Sequence, residues 1–509
     1  MRGVIAWLRR VLVGDPHALA REALSHVVSS EDKLLGRFRR EFRVPRTGEF
    51  PFVGFGTVPG ATGGRANVGV PLEKLQTHVL DSGPTGSGKT RLALAVGRQL
   101  IGIPNVRTWS IDPKGDLTDG RERLIAEAMV GPLGKKILER TRLVSLFDRR
   151  APAPLRLTAR EPGIPIEVQA ASLGTALAEA SGADIGHRMD YILRWLAELA
   201  IETEAPLTLV LNWIARPATF ASAAAQSANE RLRHFARVEF PRENRESIRA
   251  LRARLEGVLL LPSVRQCLEA PSCFDFKEAL ENYDVLVDAS KPPAGEEAAV
   301  RVLCGPIFGR ITRAILNRPV TAESPQIVCF IDELPEVLGR FEATGVTRLV
   351  SLSRSKRVGF FLIHQERGPL GAELFNSLRT NCGIETVFRP SRRDAALMAH
   401  ALPVPEGVDD AGKRRAQLLR RLTRLPRREY ALWIKDGAVP LHFVRAAHLD
   451  LSHLPDPSEI RHLLCPPSAP GQAAAGPVTQ TRAESAKDAA DSTQERDEPL
   501  DPGEFPALG

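Results

Sequence analysis

Hydrophobic positions along the chain follow two alternating rhythms. Short apolar runs fall at His78–Asp81, Val106–Ile111, Leu143–Phe147, Asp284–Ala289, Ile327–Ile331, Val358–Ile363 and Glu385–Phe388. Several are unbroken, which predicts parallel strands buried on both faces. Between them apolar residues recur at helical spacing, notably over Lys89–Ile101 and Glu296–Leu316. The alternation predicts an α/β fold with a mostly parallel sheet. From about Glu167 to about Leu268 the spacing is almost wholly helical, as over Arg188–Glu202 and Glu246–Leu260, and reads as an all-α insertion. Residues 45–75, rich in Gly, Pro and aromatics, read as short strand-like pieces. Further helix is expected over Ser391–Pro426, then a closing pair of strands at Glu429–Ile434 and Leu441–Arg445.

The two ends differ from this middle. Near the N-terminus Val4, Ile5, Leu8, Val11 and Leu12 share one helical face beside Arg2, Arg9 and Arg10. That suits a helix docked on its own or a neighbouring subunit, or one lying on a membrane surface. From Cys465 onward the chain is Pro, Ala, Gly, Ser, Gln and acid, a composition expected to stay disordered. The expected organisation is a helical segment (1–45), a first part of the core (46–165), an all-α insertion domain (166–270), a second part of the core (271–464) and a tail (465–509).

Composition narrows the class. A chain of 509 residues is too long for one ordinary core. No apolar run is long enough to span a bilayer, and no signal peptide is evident. The expected location is the cytoplasm, with peripheral attachment at the inner membrane left open. Six scattered cysteines without a CxxC pair or Cys/His cluster argue against zinc. The net charge of +8 is compatible with a polyanionic partner.

The strongest chemical signal is Gly83-Pro84-Thr85-Gly86-Ser87-Gly88-Lys89-Thr90, a complete G-x-x-x-x-G-K-T between a strand and a helix. Glycines let backbone N–H groups turn inward around phosphate oxygens, and the helix N-terminus adds its positive end. Lys89 can reach the β- and γ-phosphates of ATP, and Thr90 can hold Mg²⁺. A buried-type strand ends in Asp332-Glu333. Asp332 is expected to orient the Mg²⁺ shell and Glu333 to polarise the attacking water. Gln365 ends the next strand, as a γ-phosphate sensor or simply a polar strand end. Within Ser351–Arg357, Arg354 first and Arg357 second are candidates for an arginine delivered to a neighbour's γ-phosphate, against the reading of a surface basic helix end.

These motifs together resemble the FtsK/HerA superfamily of ring-forming DNA pumps, most of all the TraG/TrwB-type coupling ATPases of conjugation and type IV secretion. The likeness rests on Thr77–Thr90, the segment Ser110-Ile111-Asp112-Pro113-Lys114-Gly115-Asp116-Leu117, Phe330–Leu334, Arg354–Gln365 and Asn381–Phe388. It covers about 65–165 and 275–446. It implies a RecA-like P-loop core, a homo-hexamer with sites between subunits, and DNA in a central channel. It implies catalytic roles for Lys89, Glu333 and Gln365, and for Arg354 in trans. Asp112 and Lys114 match a motif without a firm role; Lys114 could contact phosphate or DNA, or pair with Asp116. Coupling proteins usually begin with transmembrane helices, which this sequence lacks. A separate membrane-channel or relaxase partner, or a HerA-like system with a nuclease partner, is therefore also open. So is a protein-handling adaptor, with the acidic tail as docking peptide.

Cations suited to DNA cluster twice. Arg242, Arg245, Arg249, Arg252 and Arg254 surround one predicted helix. Lys413, Arg414, Arg415, Arg420, Arg421, Arg424, Arg427 and Arg428 form the second group. Solvated helix faces balanced by nearby Glu are the plainer reading. With no aromatic interleaving, any DNA contact is expected to be electrostatic and sequence-tolerant.

Overall fold

The computed structural model describes residues 52–59, 65–148, 153–180, 187–270, 272–338, 343–365, 370–403, 411–436 and 441–465. The expected N-terminal helix lies outside them, as does the expected tail apart from Cys465. Among the described residues eleven strands form one sheet: β1 (Phe52–Pro59), β2 (Arg65–Pro71), β3 (Val79–Ser82), β4 (Val106–Asp112), β5 (Thr141–Ser145), β6 (Asp284–Asp288), β7 (Gln326–Ile331), β8 (Val358–His364), β9 (Ile384–Phe388), β10 (Glu429–Ile434) and β11 (Leu441–Arg445). Their spatial order is β2-β1-β11-β10-β9-β3-β8-β7-β4-β6-β5.

The half from β9 to β5 is parallel throughout. Both faces of its strands are covered, so each residue must be apolar or hydrogen-bonded. In β7, Ile327, Cys329 and Ile331 join the core on one face, while Val328 and Phe330 join the core on the other. The first core includes the helices between Ile166 and Leu268; every described element in that stretch is helical. The second includes the helix Lys89–Leu100. Beyond β9 the sheet turns antiparallel through β10, β11, β1 and β2.

This order positions a site. In parallel strands the loops at the carboxyl ends share one rim of the sheet. β8 lies between β3 and β7, so Gly83 after β3, Gln365 after β8 and Asp332 after β7 occupy neighbouring places on that rim.

The opposite rim is pinned by polar groups. His78, buried with φ 64°, accepts a hydrogen bond from the Phe360 N–H at Nδ1 (3.0 Å) and also bonds the Val350 backbone. Burial lowers its pKa to about 4, so it works as a neutral imidazole. Arg318 pairs with Glu281 (2.6 and 3.0 Å) and donates to the Lys356 carbonyl at 2.7 Å. Arg318 thus holds the turn Arg354–Lys356 at Lys356, while His78 binds the helix before it and the strand after it.

Candidate active site

The loop after β3 is built for close approach. At Gly83 (φ 152°) an added Cβ would stand 2.6 Å from the Phe388 Cβ, so only glycine fits. Lys89 is buried, and its ammonium donates to the Gly83 (2.6 Å) and Pro84 (2.9 Å) carbonyls. Ser87 Oγ is buried without a hydrogen-bond partner among the described residues. An orphan hydroxyl, a lysine already aimed into the loop, and a helix N-terminus at Lys89 fit a bound polyphosphate.

A chain of side-chain hydrogen bonds crosses the rim. Thr85 Oγ1 donates to Gln365 Oε1 at 2.6 Å, and Gln365 Nε2 donates to Glu333 Oε1. Thr90 Oγ1 donates to Asp332 Oδ2 at 3.3 Å. Thr90 and Asp332 therefore sit together as a Mg²⁺ pair would need, with phosphate oxygens and water supplying the remaining ligands. Glu333 has φ 46°, a left-handed backbone rare for a side chain of its length and of the kind found at functional sites.

The segment after β4 gains a physical account. Asp112 Oδ1 accepts from the Lys114 and Gly115 N–H groups (2.9 Å each), and its Oδ2 accepts from the Thr118 N–H (2.7 Å). The carboxylate thus caps both the loop and the helix Asp116–Met129. Gly115 has φ 97°, and a Cβ there would lie 2.7 Å from Ser290 Oγ. Lys114 does not pair with Asp116, one of the alternatives open in the sequence; its ammonium lies 2.6 Å from Glu333 Oε1.

The acids feel their burial. Desolvation raises the Asp332 pKa to about 6, helped by the charges of Asp112 and Glu333 and opposed by bonds from the Glu333 N–H and Thr90. Desolvation likewise raises Asp81, at the base of the loop, to about 7, opposed by its bond from Thr386 (2.6 Å) and by Lys89. Burial lowers the Lys89 pKa, opposed by Asp81, Glu333 and Asp332. A divalent cation against Asp332 would favour its ionised form.

Sequence reading missed one wall. Outside the loop opens a cavity of about 710 Å³, bounded by Gly86–Arg91, Asp116, Asp119, Arg123, Arg427, Arg428 and Ala446–Ser452. Arg91 Nη1 donates to the Leu449 carbonyl (3.1 Å), and Arg123 Nη1 to those of Leu454 and Pro455 (3.1 and 3.2 Å). The segment after β11 carries no periodic pattern that would announce this. Arg427 and Arg428, grouped by sequence with the DNA-facing cations, line this cavity.

Arg354 lies elsewhere. It is exposed on the turn before β8, at the opposite rim from Lys89 and Glu333 of its own chain. Arg357, on the same turn, donates to the Ala322 carbonyl at 3.1 Å. The structure thus groups Lys89, Thr90, Asp332, Glu333 and Gln365, and leaves Arg354 apart.

A phosphate loop after one parallel strand, an acidic pair two strands away and a polar strand end between them define a P-loop nucleoside triphosphatase fold of the RecA-like class. Among solved structures the chain is similar to the plasmid coupling protein TrwB in complex with the non-hydrolysable ATP analogue ADPNP. The two share 16% identity at a TM-score of 0.55, over 79% of this chain and 96% of that one. It is similar also to TrwB in complex with ADP and Mg²⁺ (15% identity, TM-score 0.53, 79% and 96% covered). A third match is VirB4 of Thermoanaerobacter pseudethanolicus (12% identity, TM-score 0.50, 79% and 98% covered). No family model and no curated protein matches the chain. No helix among the described residues is long and apolar enough to cross a membrane.

Proposed function

We propose that this protein is an ATP-driven DNA-translocating motor of the coupling-protein type, acting in conjugative DNA transfer or type IV secretion. The observation that carries the nucleotide part is the hydrogen-bonded chain from Thr85 through Gln365 to Glu333, which joins a phosphate loop to a catalytic-type carboxylate. Amides of Gly83–Gly88 and the Lys89 ammonium would hold the phosphates, and Thr90 with Asp332 would hold Mg²⁺. The ion would neutralise charge on the phosphate oxygens. Glu333 would accept a proton from water oriented by Gln365. Arg354, exposed on the turn that Arg318 holds at Lys356, would serve a neighbouring subunit in a hexameric ring. The helical block 166–270 would form an insertion domain beside that ring.

The DNA part rests on charge. Arg245, Arg249, Arg252 and Arg254 are exposed on the helix Arg245–Leu259, and only Arg252 has a carboxylate partner on that helix, Glu256 (2.7 Å). Arg420, Arg421 and Arg424 border a shallow cavity of about 390 Å³. Such cations bind phosphate without reading bases.

The test is ATP hydrolysis with and without DNA. Hydrolysis should rise with DNA and fall at least about 100-fold in Lys89→Ala and Glu333→Gln. DNA-independent hydrolysis with no DNA binding at low salt would sink the motor reading and leave a protein-handling ATPase.

A further inference from the structure

We propose that Lys114 is a second phosphate-facing lysine, parked on Glu333 in the nucleotide-free chain and drawn onto the γ-phosphate when ATP binds. The inference rests on the nucleotide reading above and adds a residue to it.

Lys114 is presented to the site and not merely near it. The Asp112 carboxylate fixes the backbone on both sides of it, and Gly115 provides a turn that no side chain fits. From that platform the side chain extends to Glu333 Oε1, the oxygen that also accepts from Gln365. Two donors on one oxygen leave that lone-pair region occupied, so a water has no place to donate to it there. Lys114 keeps about a third of its side chain exposed, whereas Glu333 keeps 11%. Of the two partners, the lysine therefore has room to move.

Its destination is set by charge. The Lys114 ammonium sits 2.6 Å from Glu333 Oε1, and Lys89 is a second cation, buried in the same site. Two cations facing each other across an acidic pair make a setting that a polyanion satisfies better than the acids alone. Lys89 shows the same parking, on the Gly83 and Pro84 carbonyls. ATP arrival would give both lysines better partners, and departure of Lys114 would free Glu333 Oε1. Loss of the γ-phosphate would send Lys114 back, so ADP should not engage it.

Calorimetric titration with Mg²⁺ and either a non-hydrolysable ATP analogue or ADP tests this. Lys114→Met should weaken analogue binding about fivefold or more and leave ADP within about twofold. Lys114→Arg should retain most of the analogue affinity. Glu333→Gln removes the competing carboxylate, so it should tighten analogue binding when Lys114 is present and not in Lys114→Met. Unchanged analogue affinity in Lys114→Met would overturn the proposal. Equal losses for analogue and ADP would do the same, since that is what a damaged loop gives. An effect of Glu333→Gln that ignores residue 114 would also overturn it. If the unaltered protein binds neither nucleotide, the nucleotide reading itself falls, an outcome distinct from these.

Discussion

Gly115→Ala isolates what the glycine contributes to the loop that carries Lys114. At φ 97° an alanine meets left-handed strain of roughly 1–2 kcal/mol. Its Cβ would also lie 2.7 Å from Ser290 Oγ and 3.0 Å from Ser290 Cβ. Ser290 cannot swing away freely, because its hydroxyl donates to Asp288 Oδ1 at 2.6 Å and its N–H to the same oxygen at 3.0 Å. Overpacking of that kind adds about 1–3 kcal/mol. The sum is a loss of about 2–5 kcal/mol, read as a lower urea midpoint at unchanged slope. Ser290→Gly removes both clashing atoms, so in the double variant the steric part should return while the backbone strain stays. A double-mutant cycle would then show favourable coupling of about 1–3 kcal/mol. Full recovery would mean that strain contributes nothing. A Gly115→Ala protein as stable as its parent would refute the reasoning outright.

Two further outcomes follow from buried acids. Asp81 has its folded pKa raised from 3.8 to about 7. The folded state therefore binds the proton more tightly, and stability falls as pH rises from about 4 to about 7, by about 4 kcal/mol in all, then levels off. Asp81→Asn should flatten that window when nucleotide-free, metal-free protein is unfolded at pH 5 and pH 8; an unchanged profile would refute it. Arg461, on the helix Pro457–Leu464, bonds Asp288 and lies 3.8 Å from Glu122, whose pKa burial raises to about 7. Arg461→Met should release that helix to limited proteolysis, more at pH 8 than at pH 6, because protonated Glu122 needs no cation. Equal cleavage at both pH values would count against Glu122 as the cause.

Legibility in the sequence tracked how local each signal was. The strand at Ile327–Ile331 was readable because burial on both faces leaves an unbroken apolar run, and β7 begins one residue earlier. The glycine-rich loop was readable because its constraints fall within eight consecutive residues. The position of β8 between β3 and β7 was not, since strand order is decided by packing between segments hundreds of residues apart. For the same reason Lys114 found Glu333 and not its near neighbour Asp116. The wall at Ala446–Ser452 was invisible because backbone carbonyls, which accept from Arg91 and Arg123 just there and beyond, leave no mark in side-chain pattern.

β3 is only four residues long, roughly 13 Å of chain at the usual rise per residue. One end opens into the glycine loop, and the other is bolted by the His78 imidazole to the helix that ends in the Arg354 turn. So short a rod is hydrogen-bonded along both edges, to β8 on one side and β9 on the other. The glycine loop above and the arginine-bearing turn below are thus tied to opposite ends of one short strand.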